Sequence, residues 1–202
     1  MPEGHRERKK AQTRERIHKE ALSLFERQGF AATTIAEIAA AADVSPRTVF
    51  VHYPTKEDLV FGDVESALTA FDAAMGQRAP GVTTMQALRA WMSQTATGWL
   101  EPDVEVQIRL AKEVASIAER KVHVAERFRR PLASALAADL GAPVDDLRVQ
   151  LAAAAVTAGL MQAEALVGEH VAAHRSLPPP AAVATILDQV ERFIASGVAA
   201  VA

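Results

Sequence analysis

The residues best equipped for chemistry in this chain lie between positions 45 and 56. Ser45-Pro46-Arg47-Thr48-Val49-Phe50-Val51-His52-Tyr53 sets a guanidinium, an imidazole, three hydroxyls and the apolar side chains of Val49, Phe50 and Val51 within about two and a half helical turns. Arginine can pair with the acceptor edge of guanine, and threonine or valine can touch a thymine methyl. Val49 and Tyr53, four apart, are the natural anchors of the opposite face, which leaves Arg47, Thr48, Val51 and His52 for a groove and Lys56 for a phosphate. Other chemistry is thinly supported. His170 and His174 have the i,i+4 spacing at which two imidazoles can share a metal, but no further ligand follows nearby, so no metal site is assigned. Glu15 and His18 supply one Glu-x-x-His, where a di-iron bundle needs two plus two more glutamates. No phosphate-cradling glycine loop or nucleophile elbow is present. No catalytic residue and no cofactor is assigned.

The elements around the 45–56 segment have legible starts and stops. Ile17, Ala21, Leu24 and Phe25 form the apolar stripe of a first helix, which Gly29 ends. Thr34 and Glu37 have capping-box spacing ahead of Ile35 and Ile38, so a short second helix follows. Ser45-Pro46 is an N-cap followed by proline at the first helical position, and Val44 with Val49 makes a hydrophobic staple. Pro54 ends this third helix. Longer helices are expected near 56–75, 83–99, 103–117, 120–139, 144–174 and 180–197, divided at Gly76/Pro80-Gly81, Pro102, Gly141-Ala142-Pro143 and Pro178-Pro179-Pro180. The expected fold is all-α: a three-helix helix-turn-helix domain over 1–55 with a basic N-terminal arm, then a helical bundle over 56–202, about nine helices in total.

Composition agrees. The chain has 202 residues, half of them hydrophobic, with 10 Gly, 10 Pro and no Cys. That is enough to bury a core without any disulfide, and the lack of cysteine fits a reducing cytoplasm. The charged start has no apolar run behind it and is not read as a secretory signal. Apolar stretches such as 151–161 fall short of the ~20 residues of a membrane span. The reading is a cytoplasmic protein with no membrane partner. The net charge of −3 hides an asymmetry: residues 1–19 carry seven Lys/Arg against three Asp/Glu, and residues 61–202 carry twelve against sixteen. A polyanion would meet the N-terminal end.

Taken in order, Thr34-Ile35-Ala36-Glu37-Ile38-Ala39 and then Val44-Ser45-Pro46-Arg47-Thr48-Val49-Phe50-Val51-His52-Tyr53-Pro54-Thr55-Lys56-Glu57-Asp58-Leu59 resemble the DNA-binding domain of TetR-family regulators. The resemblance covers residues 10–60 in detail, and beyond them only length and helix count. It implies a bacterial transcription regulator, a homodimer whose last two helices pair in a four-helix bundle, and a ligand cavity in the C-terminal domain. Thr34 and Lys56 would take phosphate roles, with Arg47, Thr48 and His52 facing bases or backbone; the full set assigned to DNA is Thr34, Ser45, Pro46, Arg47, Thr48, Phe50, His52, Tyr53 and Lys56. Phe50 stands where the family usually has tyrosine, and so lacks the hydroxyl that would bond a phosphate. Asp43 stands where glycine is common in the turn, and aspartate tolerates the left-handed conformation.

The expected function is a ligand-responsive repressor that binds palindromic duplex DNA and is released by a small apolar or acyl-type effector. Phe71, Trp91, Met92, Trp99, Phe128 and Met161 are the side chains that could line an effector cavity. The basic run between Arg109 and Arg130 could hold the phosphates of an acyl-coenzyme A or be a solvated face. Ala155, Gly159, Val183, Ile186, Leu187, Val190, Phe193 and Ile194 form the expected dimer interface. The alternative is a helical-bundle ligand-binding protein or enzyme that does not bind DNA.

Overall fold

The computed structural model of the protein describes residues 3–95, 102–174, 176 and 178–201. Among them lie ten helices and no strand: α1 Glu3–Gln28, α2 Ile35–Ala41, α3 Pro46–His52, α4 Asp58–Phe61, α5 Val64–Gly76, α6 Thr84–Thr95, α7 Pro102–Glu113, α8 Ala115–Leu140, α9 Leu147–His174 and α10 Pro180–Val201. They divide into two compact units, one made of Met1–Val64 with Val106–Lys121, the other of Glu65–Glu105 with Val122–Ala202.

In the first unit the stripe expected on α1 is the core. Ile17, Ala21, Leu24 and Phe25 are buried together with Ile38, Ala39, Val49, Tyr53, Leu59 and Val60, and the 106–121 segment adds Val106, Leu110 and Ile117. In the second unit Phe71, Met75, Leu88, Leu132, Leu136, Val149, Ala153 and Val156 form a separate core. A polar clamp closes one corner of it: the Arg78 guanidinium donates to Asp139 at 2.8 Å, to the Thr84 hydroxyl at 2.6 Å and to the Ala135 carbonyl at 3.1 Å, while the Thr84 amide donates to Asp139 at 2.6 Å. Thr84 is fully buried, so these bonds satisfy groups that water cannot reach.

Two features differ from the sequence expectation. The helix anticipated over 56–75 is broken. Thr55 and Asp58 cap each other reciprocally, the Thr55 amide donating to the carboxylate at 3.0 Å and the Asp58 amide to the hydroxyl at 3.2 Å. The short α4 then stops at Gly62, whose φ of 66° and ψ of −140° lie where only glycine is comfortable. Second, Leu147–Val171 within α9 is long and apolar enough to cross a membrane by length and composition. Counting only the run 151–161 missed this because Gln150, Gln162 and Glu164 interrupt a segment whose average is still apolar. One face of α9 is buried in the second core through Val149, Ala152, Ala153 and Val156, and the helix packs against α10.

Gly62 also lies close under a side chain: a Cβ there would meet His18 Nε2 at 3.2 Å, and the same imidazole hydrogen-bonds the Leu59 carbonyl through Nδ1 at 2.7 Å. Gly62→Ala therefore incurs backbone strain and displaces a bonded ring, with an expected destabilisation of about 1–3 kcal/mol. In a thermal melt the midpoint should fall by roughly 3–8 °C. An unchanged midpoint would contradict this reading of the α4–α5 break.

Candidate nucleic-acid interface

The α2–turn–α3 segment is built by caps. Thr34 Oγ1 accepts from the Glu37 amide at 3.2 Å and the Glu37 carboxylate accepts from the Thr34 amide at 2.8 Å, a complete capping box. That bond from the Thr34 amide, and then one from the Thr34 hydroxyl, which donates to the same carboxylate at 2.8 Å, hold the Glu37 carboxyl below its ordinary range, with Gln28 and Lys56 adding to the effect. At the other end of α2, Asp43 takes φ 50°, its amide donates to Ala40 O at 3.2 Å, and the Val44 amide donates to Ala39 O at 2.9 Å. This is the Schellman pattern with aspartate in the left-handed position usually held by glycine, as the sequence anticipates. Two residues on, Ser45 Oγ accepts from the Thr48 amide at 3.1 Å and Pro46 opens α3. The turn therefore fixes where α3 begins to within a residue.

Helical periodicity then sorts the side chains of α3. Pro46, Arg47, Phe50 and Val51 are exposed, the last two by 51% and 69%. Thr48 is half-buried and shares a 2.8 Å hydrogen bond with Ser45. Thr34 and Ser45 are exposed at the helix starts nearby. Arg47 and Val51, both offered to a groove by the sequence, are thus on the outward face. A helix with this face free can enter a major groove about 12 Å wide.

Three of the assigned residues are placed differently. His52 is only 8% exposed, because it falls on the same face as Val49 and Tyr53 and turns under α1 with them. Burial, then the charges of Arg14 and Lys10, push its imidazole below the ordinary range, with Asp63 opposing. Tyr53 is buried and its hydroxyl donates to the Arg14 carbonyl at 3.1 Å; burial raises its pKa. Lys56 donates to the Phe30 carbonyl and lies 4.4 Å over the Phe30 ring, and burial lowers its pKa against the pull of Glu57 and Glu37. His52 and Tyr53 support α3 from beneath, and Lys56 is engaged within the protein.

The residue that sequence reasoning missed is Arg14. Its Nη2 donates to the His52 carbonyl at 3.2 Å and its Nη1 to Asp63 at 2.6 Å, and the guanidinium lies 5.6 Å over the Tyr53 ring. These partners are 38 to 49 residues away in sequence, where no periodic pattern points to them. The Arg14 charge ends α3 on a cation, where the helix dipole favours one.

In the second unit Phe71, Trp91 and Phe128 form one aromatic cluster, with ring centroids 4.9 to 6.3 Å apart. Met92 and Met161 are half-buried, and Trp99 lies outside the described residues. In the basic run, Arg120 pairs with Asp58, Arg127 with Glu65, and Arg129 with Glu126 and Gln150. On α9, Ala155 is exposed and Gly159 half-buried; on α10, Ile186 is half-buried and Phe193 is 80% exposed. The side chains of Val183, Leu187, Val190 and Ile194 lie outside the described residues. Leu147, Leu151 and Leu166 extend the exposed face of α9, a row the sequence reading overlooked. The His170 and His174 rings stack at 4.2 Å and His174 Nδ1 is bonded to the His170 carbonyl, with no third metal-ligating group beside them among the described residues.

Since the folded state keeps His52 neutral where the unfolded chain accepts a proton, stability is present above the ordinary histidine pKa of about 6.5 and is lost as pH falls through it. His52→Gln should remove that dependence. In urea melts across the acid range, the stability gap between wild type and variant should narrow as pH falls below about 6.5, and a constant gap would contradict the burial argument.

Three comparisons bear on this interface. Residues 17–61 match the family model described as bacterial regulatory proteins, tetR family. The chain is 33% identical over 152 residues to the HTH-type transcriptional regulator TcmR of Streptomyces glaucescens, which covers 71% of this chain and 67% of that protein. Among solved structures it resembles Thermus thermophilus FadR, a TetR-family repressor in complex with lauroyl-CoA, at TM-score 0.58 and 22% identity over 91% of this chain and 94% of that one. It also resembles the SmeT–triclosan complex at TM-score 0.59 and 20% identity over 88% and 89%. With the capped helix-turn-helix, the outward α3 face and a relative matched over two thirds of its length, the chain belongs to the TetR family of bacterial regulatory proteins, DNA-binding transcriptional regulators rather than enzymes.

Proposed function

We propose that this regulator is a homodimeric repressor that holds a palindromic operator until a small apolar or acyl-type effector releases it. The observation that carries the reading is the outward face of α3, with Arg47, Phe50 and Val51 exposed on a helix whose start and inner face are fixed. In this reading Arg47 and Val51 face base edges, and Thr34, Ser45, Pro46, Thr48 and Phe50 lie along the sugar-phosphate backbone. Lys56 would leave the Phe30 carbonyl to reach a phosphate. Residues 1–55 do the DNA binding, residues 56–202 take the effector and the second protomer, and the protein acts in the bacterial cytoplasm.

Dimerisation through α9 and α10 is supported by the exposed row of Leu147, Leu151, Ala155, Ala158 and Leu166, with Phe193 on α10. An apolar row of this kind is readily covered by a second copy of itself. In the dimer the two recognition helices stand ~34–36 Å apart, matching successive major grooves. The effector must prefer the conformation with another spacing. By linkage, operator then weakens effector binding by the same factor. The lauroyl-CoA of the FadR structure, an acyl ligand, and the triclosan of the SmeT structure support the effector class, and Phe71, Trp91, Met92, Trp99, Phe128 and Met161 are the side chains proposed to meet it.

Selection of random duplexes by the purified protein, across a salt series, tests the reading. The expected result is a palindrome with steeply salt-dependent affinity, lost on Arg47→Ala at a cost of about 1–3 kcal/mol. A folded dimer that enriches no sequence at any salt would refute it. Leu151→Glu with Phe193→Glu should shift the protein to monomer in sedimentation and abolish palindrome binding, whereas an intact dimer would place the interface elsewhere.

A further inference from the structure

Aromatic side chains are scarce in the second unit, and they are not scattered. Its two stretches, 65–105 and 122–202, hold five: Phe71, Trp91, Trp99, Phe128 and Phe193. Three of these meet at one place, each from a different helix: Phe71 from α5, Trp91 from α6 and Phe128 from α8. The buried core they border is otherwise built of alanine, valine, leucine and methionine. Phe71 is buried, while Trp91 and Phe128 are half-buried.

The rings stand at steep angles. Phe71 meets Trp91 at 4.9 Å and 77°, and Phe128 at 5.3 Å and 68°, while Trp91 and Phe128 lie 6.3 Å apart at 51°. No two of the three are parallel, so they form a corner with Phe71 at its base and Trp91 and Phe128 as its sides. A planar aromatic guest laid along one side presents its edge to the next, in the offset and edge-to-face geometries that ring quadrupoles favour. A saturated chain gains nothing from those geometries and gives up rotational freedom when it is ordered. Met85 and Met92 pack against the same core, and their thioethers adapt to the outline of a guest and attract ring edges.

Charge separates an aromatic guest from an acyl-coenzyme A. The second unit has arginines but no lysine. The two arginines that flank Phe128 are committed. Arg127 is held by both carboxylate oxygens of Glu65, at 2.7 and 2.8 Å, and Arg129 by Glu126 at 2.5 Å and Gln150 at 2.7 Å. A coenzyme A thioester carries several phosphates, and to recruit these guanidiniums it would leave Glu65 and Glu126 unpaired beside them. Arg130 is exposed and adds one charge against several.

We propose that the corner of Phe71, Trp91 and Phe128 is a binding site for a planar, uncharged polycyclic aromatic molecule, which makes the effector aromatic rather than acyl. The site rests on the reading of the protein as an effector-controlled regulator and narrows its effector to one class.

The test is equilibrium dialysis of the full chain against three probes: flavone, planar and uncharged; 1-decanol, uncharged but linear; and lauroyl-CoA, linear and phosphorylated. Contacts with two rings should make flavone bind about tenfold more tightly than decanol, with lauroyl-CoA no tighter than decanol. Trp91→Leu and Phe128→Leu each keep an apolar side chain and remove one side of the corner. Each should weaken flavone about threefold to tenfold and leave decanol within about twofold. If either variant fails to fold, the wild-type ranking still decides. Decanol binding as tightly as flavone, lauroyl-CoA binding more tightly than both, or folded variants that keep the flavone preference would overturn the proposal. The ranking uses no DNA, so it stands apart from the readings it builds on. Flavone bound as expected but without effect on operator affinity would leave the site standing and overturn release by effector, and failure to bind any duplex would overturn the α3 reading alone.

Discussion

The Arg14 guanidinium is the contact on which the placement of α3 depends. Helix α3 has seven residues, far too few to hold itself in water, so its shape and direction come from what it packs on. Val49 and Tyr53 supply the apolar seat and Ser45 the start, and Arg14 holds the far end through the His52 carbonyl. The Tyr53 hydroxyl bonds back to the Arg14 carbonyl, so backbone and side chain of one residue grip both sides of the helix end. A half-buried cation is tolerable there because Asp63 neutralises it at 2.6 Å, with side chains 20% and 31% exposed. A pair so shielded is worth more than a solvated one, and removing one partner costs more than the pair contributes.

Asp63 gives that contact a wider meaning. It follows Gly62, where the chain breaks between α4 and α5, so the end of α3 is tied directly to that break. His18, one turn along α1 from Arg14, bonds the Leu59 carbonyl just before the break and approaches Gln107 of α7 at 3.4 Å. The position of α3 is thus joined through two side chains of α1 to the α4–α5 junction and to α7. A shift of the junction would be passed to the helix end by a hydrogen bond and an ion pair, both of which have discrete alternatives in water.

What was legible in the sequence is what short-range rules govern. The capping box at Thr34–Glu37, the Ser45-Pro46 start, the left-handed Asp43 and the α1 stripe are contacts between neighbours in sequence, and each stands where the spacing put it. The break at Gly62 was hidden because 56–75 is helical in propensity throughout, and one glycine in such a run is a weak signal. His52 was misplaced because two anchors four apart leave the residue between them ambiguous: position 52 shares a face with 49 as well as with 53. Arg14, Lys56 and the Arg78–Asp139 clamp were invisible for another reason. Their partners are 26 to 61 residues away, and only the folded chain brings them together.

The central claim is that α3 lies in the major groove with its Arg47 face towards the bases. Dimethyl sulfate, which methylates guanine N7 in the major groove and adenine N3 in the minor groove, tests it directly on a bound duplex. Protection of guanine N7 positions in two half-sites one helical turn apart, with minor-groove adenines between them still reactive, is the result this account predicts. Tight binding with every guanine N7 reactive would contradict it and would leave the protein on the backbone or in the minor groove.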